Sequence, residues 1–133
     1  METVDDVVVL AAREPLTDEE LHALFSVSWP EHRPTVFGPI LARSLTWVTA
    51  RRRGELVGFV NVAGDGGLHA FILDTTVHPE ARRCGLGVRI VQRAAEEARR
   101  HGAAWLHVDY EAHLQSFYER CGFGPTAAGL IRL

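Results

Sequence analysis

The apolar positions of the chain follow two spacings, one typical of β-strands and the other of amphipathic helices. Runs of apolar and β-branched residues predict strands over 7–12, 46–51, 56–63, 68–77 and 104–110, with a last one over 126–133. Apolar residues three or four positions apart predict a helix after Thr17, a short one over 40–45, and longer patterns over 86–98 and 114–121. The helix after Thr17 begins with a capping box, Thr17 to Glu20.

The order of these elements predicts the fold class. Three strands in a row, from 46 to 77, favour an antiparallel meander, whereas the strand–helix–strand unit from 68 to 110 implies a parallel pair joined by a right-handed crossover. We therefore predict a single α/β domain over residues 1–133. Its sheet is mixed and mostly antiparallel, with six or so strands, and about four helices accompany it.

The start of the longest helix has an unusual charge pattern. First turns normally contain Asp and Glu, which complement the positive end of the helix dipole. Here Arg82, Arg83 and Arg89 lie at that end, and Gly85 and Gly87 leave its backbone N–H groups accessible. Such an end is poorly stabilised without an anion, so the sequence predicts a site for a phosphate-bearing ligand.

The glycine pattern narrows the class of phosphate ligand. No GxxxxGK run is present, and Ile90 replaces the third glycine that a dinucleotide-binding loop requires. What remains, Arg82-x-x-Gly85-x-Gly87 between a strand and a helix, resembles the cofactor signature of the GNAT family of N-acetyltransferases. A second stretch, from Phe117-Tyr118 to Gly122-Phe123, resembles that family's later signature and follows at the expected distance.

The resemblance implies a fold and a cofactor. GNAT domains have splayed fourth and fifth strands, and acetyl-CoA binds between them without any metal. The pantetheine arm pairs with the end of the fourth strand, and the diphosphate lies on the helix N-terminus. The residues that match these roles are Val77, His78, Pro79, Arg82, Arg83, Cys84, Gly85, Leu86, Gly87 and Val88.

Two residues are candidates for catalysis. Tyr118 matches the family's general acid, which protonates the departing thiolate, although its position on an amphipathic helix also suits a core aromatic residue. Asp74 is our first candidate for the base that deprotonates the amine, with a structural carboxylate as the alternative. Strand parity places Asp74 on the face of Ile72 and Thr76. Other candidate bases are Asp109, Glu111, His113 and His32.

The region after the first helix is our candidate for the acceptor-binding site. In the family, the region after the first helix forms the acceptor-side wall, so Trp29, Glu31, His32 and Phe37 are candidate pocket residues; an ordinary surface loop is the other interpretation. Acidic residues near this region favour a cationic primary amine. The predicted activity is therefore acetyl transfer from acetyl-CoA to a primary amine by direct attack, and a non-catalytic acyl-CoA-binding domain is the alternative.

Composition and net charge argue against several other classes of protein. Apolar residues make up 47% of the chain and the formal net charge is −3, which favours a folded domain without a nucleic-acid partner. The two cysteines suit a reducing, cytoplasmic compartment, and neither a signal peptide, a membrane span nor a metal-ligand spacing is predicted. The segment after Phe123 is short for the family, so we predict that a second subunit completes an open sheet edge.

Overall fold

The computed structural model describes residues 7–133, which form five strands and four α-helices. In chain order these are β1 (Val8–Ala12), α1 (Asp18–Ser28), α2 (Gly38–Arg43), β2 (Thr46–Arg52), β3 (Glu55–Gly64), β4 (His69–Val77), α3 (Leu86–Arg100), β5 (Trp105–Val108) and α4 (Gln115–Cys121). Two short 3-10 turns, Pro79–Ala81 and Ala112–Leu114, precede α3 and α4. No helix within this described part is both long and apolar enough to cross a membrane.

The sheet confirms the predicted fold class. Its strand order is β1-β2-β3-β4-β5, with antiparallel pairing from β1 to β4 and parallel pairing between β4 and β5. Helix α3 is the crossover between the two parallel strands. The meander and the single parallel pair agree with the sequence, and the described residues contain five strands where six or so were predicted.

Two hydrophobic cores lie on opposite faces of the sheet. Successive strand residues face opposite sides, so Val60 packs with α3 whereas Phe59 packs with α1 and α2. On the first face, the apolar stripe of α3, including Ile90 and Ala94, is fully buried. The second core is smaller and aromatic, and Phe25 lies at its centre. The sheet is thus held between α3 and the α1–α2 layer.

The predicted last strand, residues 126–133, is not formed. This segment has no regular structure, and its apolar side chains are exposed, with Leu130 83% accessible. Pro125 lacks an N–H group to donate and Gly129 weakens a strand, while no described strand pairs with the free edge of β5. Trp105 on that edge is 66% exposed. A second subunit at this edge stays a prediction.

The first six residues lie outside the described part of the chain. The expectation that the sequence does not begin with a signal peptide rests on these residues. The predicted first strand is observed from Val8, and the capping box of α1 is confirmed. In that box the Thr17 hydroxyl accepts from the Glu20 N–H at 3.1 Å, and Glu20 accepts from the Thr17 N–H at 3.1 Å.

Arg51, the first of three consecutive arginines at the end of β2, is paired with two carboxylates. Its guanidinium donates to Glu14 at 2.6 Å and to Glu20 at 2.8 Å, and its side chain is 21% exposed. This arginine therefore joins β2 to the start of α1. The hydrogen bond from Arg51 is the main reason that the pKa of Glu20 lies below its ordinary value of 4.5.

We expect Arg51→Met to lower the free energy of unfolding by about 1–2 kcal/mol at pH 7, since both carboxylates lose their partner while remaining partly hydrated. A carboxylate with a lowered pKa stabilises the fold above its unfolded pKa, and this contribution disappears as the pH falls through the lowered value. The difference between wild type and variant should shrink below about pH 4.5. Urea unfolding at several pH values measures the difference in the free energy of unfolding. The control is Arg43→Met, since Arg43 is exposed on α2. An equal difference at pH 3 and pH 7 would contradict this account.

Candidate active site

Helix α3 begins with an anion-binding geometry. Gly85 is its N-cap residue, with a left-handed backbone (φ 75°), and no side chain caps the first turn. That turn contains no acidic residue, whereas Arg82 and Arg83 lie just before it and line the adjoining cleft. The partial positive charge of the helix end and two arginine residues therefore border one space.

The loop before α3 is fastened to the end of β4. Arg82 Nε donates to the Val77 carbonyl at 3.1 Å, and the His78 N–H donates to Val57 at 2.8 Å. Arg83 has a positive φ of 70°, which is uncommon for a residue with a Cβ atom. The loop that carries the two arginines is therefore held to β4 and contains a strained backbone position.

Gly87 is required by a close approach between two helices. A Cβ atom at Gly87 would lie 2.9 Å from the Phe117 ring of α4 and 3.6 Å from Val77. A side chain at this position would displace Phe117 from the cleft wall. Gly85 has a different role, because its left-handed backbone, rather than lack of space, favours glycine there.

Strands β4 and β5 separate as they approach this loop. Their parallel pairing ends at Ile72 and Val108, whereas β4 continues to Val77. Beyond Ile72 the described chain places no strand against that side of β4. The predicted splay is present, and it leaves backbone groups of β4 available to an extended ligand.

A cleft of about 580 Å³ occupies this gap. Eight of the proposed site residues line it: Val77, Arg82, Arg83, Gly85, Leu86, Gly87, Val88 and Tyr118. Asp74, His78, Pro79 and Cys84 are adjacent in the chain but do not line it within the described residues. His78 instead accepts from the Glu80 N–H, Pro79 opens a 3-10 turn, and Cys84 donates to the Ala81 carbonyl.

Tyr118 is the buried polar aromatic residue of the cleft. It is 6% exposed, and the Tyr110 ring stacks on it at 4.9 Å while Phe117 and Phe123 meet it edge-on. Burial raises the pKa of the Tyr118 phenol, and the nearby Thr75 side chain acts in the opposite direction. The phenol therefore carries its proton at neutral pH, as a general acid must.

Asp74 lies at a β-bulge, which the sequence did not reveal. The pairs Asn61–Leu73 and Phe59–Thr76 leave Asp74 and Thr75 together opposite one residue of β3, and Asp74 has a φ of 59°. The bulge ends the strand alternation, so the prediction that Asp74 shares a face with buried Ile72 and Thr76 is wrong; its side chain is exposed. Partial desolvation by the surrounding protein nevertheless raises the pKa of its carboxyl group.

A second, more open cleft of about 410 Å³ adjoins the first through Trp29. Glu31 and His32 also line it, and His32 Nε2 is buried without a hydrogen-bond partner among residues 7–133. Phe37 does not belong to either cleft. It is buried in the smaller core, because its ring packs on Phe25, and the expectation that it lines a pocket is corrected.

Sequence reasoning missed some residues of the main cleft. Thr75 and Thr76 enter it through the bulge, for which the sequence gives no signal. Leu114 and Phe117 share the helical stripe of Tyr118, so that stripe could have indicated them. Arg120 also lines the cleft, whereas Asp109 and Glu111, two candidate bases, do not.

Comparison with known proteins agrees with this geometry. The sequence pattern of the acetyltransferase (GNAT) family matches residues 15–123. The chain therefore belongs to the GNAT family of acetyltransferases, as the two signatures indicated.

Individual proteins resemble this chain in sequence or in fold. The protein is 28% identical over 120 residues to "GCN5-related N-acetyltransferase 1, chloroplastic" of Arabidopsis thaliana, covering 88% of this chain and 61% of that protein. A GNAT family acetyltransferase from Streptococcus pneumoniae superposes with a TM-score of 0.81 at 21% identity, covering 96% and 98% of the two chains. An aminoglycoside N-acetyltransferase solved with CoA superposes with a TM-score of 0.77 at 16% identity, covering 96% and 94%. The chain spans about half the length of the curated relatives it matches.

Proposed function

We propose that the protein is an N-acetyltransferase that moves an acetyl group from acetyl-CoA to a primary amine in a ternary complex. One observation carries this proposal: the cationic start of α3 and the buried phenol of Tyr118 face the same cleft. A diphosphate fixed at one end would place a reactive group at the other. Both cysteines are free, which suits the cytoplasmic compartment that we propose.

The residues of the cleft fit acetyl-CoA. The first turn of α3, with Arg82 and Arg83, would hold the diphosphate, and the unpaired side of β4 up to Val77 would pair with the amide-bearing arm. The partnerless Thr75 hydroxyl adds a buried polar group at the level of the reactive end. A relative in fold, the aminoglycoside N-acetyltransferase, was solved with CoA, which supports the same choice of cofactor.

Acetyl-CoA supplies the activated acyl thioester, and the chain supplies orientation and protons. The phenol of Tyr118 is buried and protonated, so it can donate to a departing sulfur atom. The stacked Tyr110 ring and the Phe117 ring cover much of its surface. An amine must reach the thioester in its neutral form, so the chain must also accept a proton from the ammonium form.

The second cleft supports an amine acceptor. Trp29 connects it to the cofactor cleft, and the face of an indole ring attracts cations. Glu31 adds a negative charge at the same entrance. These features favour a cationic primary amine over a neutral or anionic acceptor.

The experiment that tests this function measures free thiol released from acetyl-CoA in the presence of a panel of amines. Amine-dependent thiol release, with the acetylated amine identified by mass spectrometry, is the expected result. A protein that binds CoA tightly but releases no thiol with any class of amine would favour the alternative, a non-catalytic acyl-CoA-binding domain.

We propose Asp74 as the base, because its raised pKa suits proton acceptance nearer neutral pH and it directly precedes Thr75 at the cleft. A base must be deprotonated, so kcat/KM should rise with pH through the raised pKa of Asp74 and then level off. Asp74→Asn should abolish this acid limb and lower the plateau about a hundredfold. His113→Gln is the control, since His113 lines the cleft but is exposed. An acid limb that persists in Asp74→Asn and disappears in His113→Gln would transfer the role to His113.

A further inference from the structure

The bulge in β4 lies at the reactive end of the cleft, beside Thr75. In a regular strand, Thr75 and Thr76 would face opposite sides of the sheet. The extra residue at Asp74 shifts the pairing of β4 with β3, and Thr75 and Thr76 both line the cleft with Tyr118. The side chain of Thr75 is thereby placed beside the proposed acid.

The Thr75 hydroxyl has no partner of its own. Thr76 Oγ1 donates to the Asp74 carbonyl at 3.0 Å, whereas Thr75 Oγ1 is buried and has no hydrogen-bond partner within residues 7–133. Thr75 lies close enough to Tyr118 for its side chain to lower the pKa of the phenol as a hydrogen-bonding neighbour, but the two hydroxyl groups do not meet hydrogen-bond geometry in this structure. A buried hydroxyl without a partner is costly, and such groups at a cleft indicate a partner that appears during function.

We propose that Thr75 is a positioning residue for Tyr118, donating its O–H to the tyrosine oxygen when the phenol gives up its proton. This inference rests on the proposed function. Rotation about the C–O bond redirects the hydroxyl proton of Thr75, and a small rotation of the side chain moves its oxygen, so it can turn to a new acceptor without moving the backbone. A charged acceptor forms a stronger hydrogen bond than a neutral one, so the stabilisation is larger for the phenolate than for the phenol.

The bonds and protons balance in the proposed acetyl-transfer step. The amine nitrogen forms a bond to the acyl carbon, the carbon–sulfur bond breaks, and the sulfur takes its proton from Tyr118. The proton that the amine loses passes to the base and then to solvent. Thr75 keeps its own proton throughout, and solvent returns a proton to Tyr118 when the products leave.

The test measures the ionisation of Tyr118 directly, with no substrate present. A fluorinated tyrosine incorporated at position 118 has a more acidic phenol, so its titration by ¹⁹F NMR falls where the protein stays folded. We expect Thr75→Val, which removes the hydroxyl and retains the shape, to move phenolate formation to higher pH by about one unit. Thr75→Ser should restore most of the wild-type titration.

The control is Thr46→Val. Thr46 is fully buried in β2, and its hydroxyl also has no described hydrogen-bond partner, so this change removes the same kind of group elsewhere. It should leave the Tyr118 titration unchanged. In turnover, Thr75→Val should lower kcat about tenfold while KM for acetyl-CoA changes less than twofold.

The outcomes separate this inference from the proposed function. A protein that never binds acetyl-CoA would overturn the proposed function, and the titration would still decide the role of Thr75. A Tyr118 titration that is the same in Thr75→Val and wild type overturns the inference. A raised KM with an unmoved titration also overturns it, since Thr75 would then contact the cofactor instead.

Discussion

Tyr118→Phe is expected to lower kcat for amine acetylation by at least about a hundredfold, because a positioned general acid typically contributes this much or more. The phenyl ring retains the stacking on Tyr110 and the packing against Phe117. The substitution therefore removes only the phenol oxygen and leaves the wall of the cleft otherwise unchanged. Affinity for CoA should change little, since the proposed diphosphate site is formed by other residues, Arg82, Arg83 and the start of α3. Steady-state thiol release and calorimetric titration with CoA measure the two effects.

The matched control is Tyr110→Phe, which removes the same atom from the ring that stacks on Tyr118. Tyr110 does not line the cleft within the described residues, so its loss should lower kcat less than threefold. If Tyr118→Phe turns over as fast as wild type, a water molecule or another group protonates the sulfur, and Tyr118 serves only as a core aromatic residue.

The double substitution Arg82→Gln with Arg83→Gln is expected to weaken CoA binding by about a hundredfold or more. Each charge-assisted hydrogen bond to a phosphate contributes about 1.5–3 kcal/mol, and tenfold in affinity corresponds to about 1.4 kcal/mol. Arg82 also donates to the Val77 carbonyl, and Gln retains donor groups, so the loop should keep most of its shape. Binding should also weaken as salt rises in wild type, and less steeply in the variant.

Arg43→Gln serves as the control for charge alone. Arg43 is exposed at the end of α2 and does not line the cleft, so its replacement makes the net charge one unit more negative without touching the site. Its CoA affinity should stay within about twofold of wild type. Equal affinity in the double variant and in Arg43→Gln would remove both arginines from the cofactor site.

Most of the fold was accessible from the sequence because its signals are local. The stripe from Leu86 to Ala98 fixes the buried face of α3, and the capping box at Thr17 fixes the start of α1. The meander follows from short turns between strongly apolar runs. The strand predicted at 126–133 is absent for a non-local reason. An apolar run forms a strand only if a neighbouring strand edge pairs with it, and the local sequence does not show whether such an edge is available.

The two ends of the candidate site differed in how well they could be predicted. The glycines and arginines before α3 are one continuous stretch, so their spacing alone indicated an anion site. The reactive end combines residues from β4 and α4, and its shape depends on a bulge at Asp74 that changes which side chains enter the cleft. Periodicity assumes regular strands, and therefore it placed Asp74 on the wrong face and missed Thr75.

The central claim is that the cationic turn before α3 holds the diphosphate of CoA and thereby directs the acyl end toward Tyr118. A crystal structure of the protein with CoA bound tests it most directly. We predict the diphosphate on the backbone N–H groups at the start of α3, within reach of Arg82 and Arg83, and the sulfur atom near the Tyr118 hydroxyl. A diphosphate bound elsewhere, or a sulfur atom directed away from Tyr118, would contradict it.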